Sequence, residues 1–66
     1  MLIEKIISKG VGWKDAGKYF WDVYVADAQG QPSLYFGVEH SYEMAEDRCN
    51  RAYIVALNEV ASGKCG

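Results

Sequence analysis

The stretch LYFGVEHSYEMAED, residues 34–47, contains the point at which the hydrophobic period of the chain changes from two to 3.6. Ser41 stands at this change and has a side chain suited to an N-cap, and Glu43 follows it near the positive end of a helix dipole. From here the pattern predicts one continuous helix over about residues 42–61. Gly63 is a typical residue for ending such a helix. The change therefore marks the boundary between strands and a C-terminal helix.

Three stretches before the helix have the composition of strands, with aromatic and β-branched residues between turn signals. They cover about residues 2–9, 18–26 and 33–39, and short connections that contain glycine or proline separate them. We predict an α+β fold, a three-stranded antiparallel sheet with one C-terminal helix packed on one face (βββα). The 66 residues are enough for a single domain, residues 1–66.

The second strand alternates between two sets of side chains that point to opposite faces of the sheet. The strand residues expected under the helix are Tyr19, Trp21, Val23, Val25, Leu34, Phe36 and Val38. The helix residues expected to pack on them are Tyr42, Ala45, Cys49, Ala52, Tyr53, Ala56 and Val60. The residues expected on the outer face are Phe20, Asp22, Tyr24, Tyr35 and Glu39. A one-sided sheet normally has a polar outer face, so these aromatic residues indicate either a partner-binding surface or cross-strand pairing alone.

Charge is distributed unevenly along the chain, whose formal net charge is −2. Residues 19–47 contain six acidic residues and no lysine or arginine, whereas the segments before and after this region are each +2. Acidic character in the central segment disfavours general binding to nucleic-acid phosphates, which depends on Lys and Arg. It favours a protein partner with a basic surface.

The sequence lacks the residues that several classes of function require. His40 is the only histidine, and Cys49 and Cys65 are too far apart in sequence for a zinc motif, so we expect reduced thiols and no metal or other cofactor. No set of residues has the pattern of a nucleophile with its base or of a carboxylate pair, so we expect no enzyme activity. No run approaches the ~20 apolar residues of a membrane span. The charged N-terminal stretch resembles no targeting peptide, so we expect no membrane association and a cytoplasmic location.

The first connection offers an alternative surface. Lys9, Lys14 and Lys18 flank Trp13 in or next to the hairpin between the first two strands. Basic groups beside an aromatic side chain can bind nucleic acid by pairing with phosphates and stacking on bases. Simple solvated surface charge also explains these lysines, and both interpretations stay open.

Three segments together resemble the βββα modules of AP2 domains and of the arm-binding domains of tyrosine recombinases. They are Trp21-Asp22-Val23-Tyr24-Val25, Leu34-Tyr35-Phe36-Gly37, and Ser41-Tyr42-Glu43-Met44-Ala45 with the later Ala52, and the resemblance covers about residues 18–56. It implies the βββα fold, which also occurs in small antitoxin domains, and a sheet that faces DNA. Those families carry Arg and Lys at the matching outward positions, where this chain has Asp22, Tyr24, Tyr35 and Glu39.

The sequence therefore predicts a non-enzymatic protein-binding module. Its small size and its acidic, aromatic outer face are analogous to phage-encoded inhibitors of host nucleic-acid-handling or defence complexes, anti-CRISPR proteins among them. The alternative is a small nucleic-acid-binding module that uses the lysine-containing hairpin. A homodimer that buries the aromatic face is a third possibility.

Overall fold

A computed structural model describes residues 1–63 and confirms the predicted order of three strands followed by one helix. The strands are β1, Ile3–Lys9; β2, Tyr19–Val25; and β3, Ser33–Glu39. The helix α1 is Tyr42–Ala61. No helix within the described residues is long and apolar enough to span a membrane.

The sheet is antiparallel with the strand order β1-β2-β3, so β2 is central and the other two strands are edges. In the register, Ile7 lies opposite Trp21, and Trp21 lies opposite Gly37. The ladder between β2 and β3 is irregular next to Val23, where Leu34 is left without a partner in β2. Such a bulge lets two successive side chains of one strand turn towards the same face.

Both ends of α1 have the caps that the sequence predicts. The Ser41 hydroxyl accepts a hydrogen bond from the Met44 N–H at 3.2 Å and so satisfies one of the free donors of the first turn. At the other end, the Ser62 N–H donates to the Asn58 carbonyl at 3.0 Å, and Gly63 has φ 75°. A glycine adopts this left-handed conformation without the steric cost that a Cβ would add.

The core lies between α1 and one face of the sheet. Its buried residues are Ile3, Val23, Val25, Ala45, Cys49 and Ala56. Three of these six are small helix residues, which allow the helix axis to approach the sheet closely. Burial raises the pKa of the Cys49 thiol above its ordinary value. Within β1, Ile7 packs against this core, and Ile6 faces outward and is 50% exposed.

The predicted orientation of β3 is wrong for most of the strand. Phe36 and Val38 were expected under the helix but are 75% and 49% exposed. They lie opposite Asp22 and Phe20 of β2 on the outer face. Leu34 does pack against the core, as expected, because the bulge turns it inward. The side of β3 that faces the helix instead presents Tyr35, Gly37 and Glu39.

The close approach of Trp21 to Gly37 explains this orientation. A Cβ on Gly37 would lie only 2.7 Å from Nε1 of the Trp21 side chain, so the indole occupies the space that any larger residue would need. Glycine inside a strand often marks such an approach. Because side chains alternate along a strand, placing Gly37 beneath the indole sends Phe36 and Val38 to the other face.

Candidate functional site

The outer face of the sheet is the surface that α1 does not cover. Its strand residues are Glu4, Ile6, Ser8, Phe20, Asp22, Tyr24, Ser33, Phe36 and Val38. Four of them are large apolar residues with considerable exposure: Ile6 at 50%, Phe20 at 39%, Phe36 at 75% and Val38 at 49%. We call these four the outer apolar cluster. All four lie within strands that pair in the sheet, so the backbone holds them in place.

Asp22 lies at the centre of this cluster. It is on the central strand, directly opposite Ile6 of β1 and Phe36 of β3. The Ser33 hydroxyl donates a hydrogen bond to its Oδ2 at 3.0 Å. Its Oδ1 is shielded from water and accepts no hydrogen bond from any group within residues 1–63. Buried polar atoms are nearly always hydrogen-bonded, which makes this oxygen unusual.

A shallow depression of about 440 Å³ lies around this carboxylate. Ile6, Phe20 and Phe36 contribute apolar walls, and Asp22 and Ser33 contribute the polar groups. Glu4 and Asp22 are the charged strand residues of the outer face, and no lysine or arginine of the strands shares that face. The arrangement can hold a group that is apolar along its length and positively charged or hydrogen-bond-donating at its end.

Three of the five residues expected on the partner-binding surface share the outer face, namely Phe20, Asp22 and Tyr24. The other two, Tyr35 and Glu39, do not, and their prediction is corrected. The Tyr35 hydroxyl donates a hydrogen bond to Glu59 of α1. Glu39 accepts a hydrogen bond from Trp21 Nε1 at 3.2 Å, and its other carboxylate oxygen lies 3.4 Å from Nε of Arg48. Both residues therefore fasten the helix to the sheet.

Sequence reasoning missed Ile6, Phe36 and Val38 as members of this surface. For β3 the informative residue is Gly37. It has no side chain, and its position opposite Trp21 places it on the side of β3 that faces the helix. An apolar alternation, here Leu34, Phe36 and Val38, does not show which face is buried when the intervening residues include a glycine and an aromatic.

The hairpin between β1 and β2 forms a second exposed feature. Trp13 is 86% exposed, and the Lys14 ammonium lies 5.6 Å from the centre of its ring. Lys18 forms an ion pair with Asp15 at 3.8 Å, and Lys9 is at the end of β1. Of the residues of the alternative nucleic-acid site, Lys14 therefore lies against Trp13, whereas Lys18 pairs with Asp15.

Two ionisable residues outside these surfaces, Asp27 and Lys5, have structural partners. Asp27 accepts a hydrogen bond from the Leu2 N–H at 2.9 Å, which holds the pKa of this carboxyl below its usual value. Lys5 extends across the helix face, donates to Asn50 Oδ1 and lies 5.1 Å from the centre of the Tyr53 ring.

No group of three or more His, Cys, Asp or Glu residues within residues 1–63 has the arrangement of a metal site. The prediction of a free Cys65 lies outside the described residues.

Comparison of the chain with protein-family models, with curated proteins and with solved structures found no match.

Proposed function

We propose that this chain is a non-enzymatic protein-binding module and that the outer face of its sheet contacts the partner. The observation that carries the proposal is the outer apolar cluster, in which four large apolar residues are exposed on the strands of an ordered sheet. Contiguous exposed apolar surface is uncommon on monomeric soluble proteins and is typical of interaction sites. Aromatic residues such as Phe20, Tyr24 and Phe36 provide contact area with little loss of side-chain entropy.

Charge favours a partner with a basic surface. The outer face carries Glu4 and Asp22 without a strand lysine or arginine, and residues 19–47 contain six acids and no basic residue. Complementary charge accelerates association and orients the two proteins. Nucleic-acid-handling complexes have surfaces of this kind. We therefore include in the proposal an inhibitor of the phage-encoded, anti-CRISPR-like type that covers such a surface.

A random-peptide display library selected against the folded chain provides a direct test. We expect selected peptides to lose at least about 30-fold in affinity with Phe36→Ala, which corresponds to a hot-spot loss of about 2 kcal/mol. Ile54→Ala is the matched control, because Ile54 is an exposed apolar residue of α1, 58% exposed, on another surface. Peptides that bind Phe36→Ala as tightly as the wild type would contradict the proposal.

A nucleic-acid-binding module is the second candidate, and the exposure of Trp13 favours it. A base can stack on this indole while Lys14, Lys9 and Lys18 approach phosphates. Titration with a single-stranded oligonucleotide tests it. A Kd tighter than about 10⁻⁴ M at physiological salt that weakens with salt and is lost with Lys14→Glu would support this candidate. Arg51→Glu, which lowers the net charge by the same amount at an exposed position of α1, controls for net charge.

A further inference from the structure

We propose that the depression around Asp22 binds an arginine side chain of the protein partner. This inference rests on the proposed function, because it names the group that the outer face recognises. The juxtaposition that carries it is a carboxylate that lies between Ile6 and Phe36, with Phe20 next to it on the same face, and that has one oxygen without a partner in the described part of the chain.

The carboxylate is incomplete without a further donor. Ser33 satisfies Oδ2 of Asp22, whereas Oδ1 has neither water contact nor a donor within residues 1–63. Leaving a charged acceptor unpaired is costly, and a charge-assisted hydrogen bond is among the strongest that a protein forms. Interface side chains commonly change rotamer on binding. Because Oδ1 is shielded, binding of a donor requires such a rotamer change at the carboxyl or at the exposed Phe36 side chain.

The walls of the depression favour arginine over other donors. A guanidinium is planar, weakly hydrated and able to stack on an aromatic ring while it donates to a carboxylate. Phe20 and Phe36 provide the rings, and Ile6 provides apolar surface for the methylene stem. A lysine ammonium is more strongly hydrated and has no flat face, so it gains less from these walls. A phosphate or a free carboxylate would be repelled by Asp22.

A second copy of this chain is a less suitable occupant. Two outer faces packed against each other would bring the acidic residues Glu4 and Asp22 of both copies together without a strand cation between them. The arginines that the chain itself could offer are on α1, where Arg48 pairs with Glu39 at 3.4 Å and Arg51 pairs with Asp47 at 3.1 Å. Insertion of Arg51 into another copy would be a head-to-tail contact, which leads to open chains unless it closes into a ring.

Titration of the isotope-labelled chain with N-acetyl-arginine-amide, followed by NMR, tests the proposal. The expected result is saturable binding with Kd on the order of 1 mM, as the size of this probe allows. Shifts should be largest at the backbone amides of Phe20, Asp22 and Phe36 and at the Asp22 carboxyl carbon. The lysine analogue should bind several-fold more weakly, and the uncharged citrulline analogue should cause no saturable shift.

Asp22→Asn should abolish this binding, because it removes the charge but keeps the shape. Asp47→Asn is the matched control and should leave binding unchanged, since Asp47 is an exposed helix residue. Equal binding of the arginine and citrulline analogues, unchanged binding by Asp22→Asn, or no saturable binding would each overturn the arginine assignment. Self-association of the free chain that is lost with Arg51→Ala would overturn it as well, in favour of a second copy.

Failure of the arginine assignment and failure of the proposed function give different results. If the outer face binds protein without recognising arginine, the display library still yields peptides that depend on Phe36, but these peptides are not enriched in arginine. If the outer face does not bind protein, no selected peptide depends on Phe36. Arginine enrichment that disappears when the same library is selected on Asp22→Asn is the result that supports both.

Discussion

The two faces of the sheet differ in how far they bury aromatic side chains and in how far they pair acidic ones. On the helix face, Trp21 covers Gly37 and donates to Glu39, which also pairs with Arg48. On the outer face, Phe36 is 75% exposed, and one oxygen of Asp22 has no partner among residues 1–63. The helix face therefore pairs these polar groups and contains the buried core, whereas the outer face leaves large apolar side chains exposed. The difference indicates that stability depends mainly on one face and that the other is available for recognition.

Removal of an aromatic side chain from each face tests this division most strongly. We expect Trp21→Ala to lower the free energy of unfolding by about 3 kcal/mol, because it removes packing next to the core and leaves a cavity above Gly37. Phe36→Ala should cost less than about 1 kcal/mol, since cross-strand contacts are all that it loses. Urea denaturation at low temperature measures both values.

Similar losses for these two variants would break the comparison. They would show that the outer face contributes to folding as much as the helix face does. A total stability of about 3–10 kcal/mol is expected for a domain of this length, so Trp21→Ala can leave a large unfolded fraction at 37 °C. A milder variant, Trp21→Phe, then gives a measurable intermediate loss.

Gly37→Ala tests the close approach that sets the orientation of β3. The added Cβ would lie 2.7 Å from Trp21 Nε1 and 2.8 Å from two ring carbons, so we expect a loss of about 2 kcal/mol by overpacking. At an unobstructed strand position, Gly→Ala should instead raise the stability by about 0.5–1 kcal/mol. The sign of the stability change therefore shows whether the indole obstructs position 37. In a Trp21→Leu background the cost of Gly37→Ala should shrink, and a double-mutant cycle of thermal or urea midpoints measures this coupling. Additive effects would indicate that the indole does not determine the orientation.

The sequence was sufficient for the order and type of the elements but not for the outer face. Ser41, the helical period after it and Gly63 fixed the helix, because caps and periodicity are local signals. The orientation of β3 depends on a contact between two strands, Trp21 with Gly37, and alternation alone cannot report it. The sequence indicated Phe20, Asp22 and Tyr24 as one surface. It could not show that Asp22 would lie opposite Ile6 and Phe36 or that one of its oxygens would remain unpartnered.

The Asp22→Thr variant tests whether Asp22 lowers the stability of the sheet while it serves binding of a partner. Threonine has a higher strand propensity than aspartate and removes the unpartnered carboxylate oxygen, while the exposed Ser33 hydroxyl can bond to water instead. We therefore expect a gain of about 1 kcal/mol in the free energy of unfolding together with loss of arginine binding. Such gains at the expense of function are common at recognition sites. A destabilised Asp22→Thr variant would mean that the carboxylate has a structural role within the sheet.

The smallest expected difference comes from removing one hydroxyl on each face. Tyr35→Phe deletes the group that donates to Glu59 of α1, and its loss should cost about 1 kcal/mol because a partly buried hydrogen bond to a charged group disappears. Tyr24→Phe is the matched change on the outer face, where Tyr24 lies opposite Glu4 and Ser33, and it should change stability by less than about 0.5 kcal/mol. Urea midpoints of the two variants, measured side by side, give the difference between their stability losses without absolute free energies.

Because Tyr35→Phe breaks a link between sheet and helix, it should also speed amide exchange in the last turns of α1, which Tyr24→Phe should leave unchanged. If Tyr24→Phe were the more harmful of the two, the tyrosine hydroxyl of the outer face would have a structural partner, and that face could no longer be treated as free for recognition.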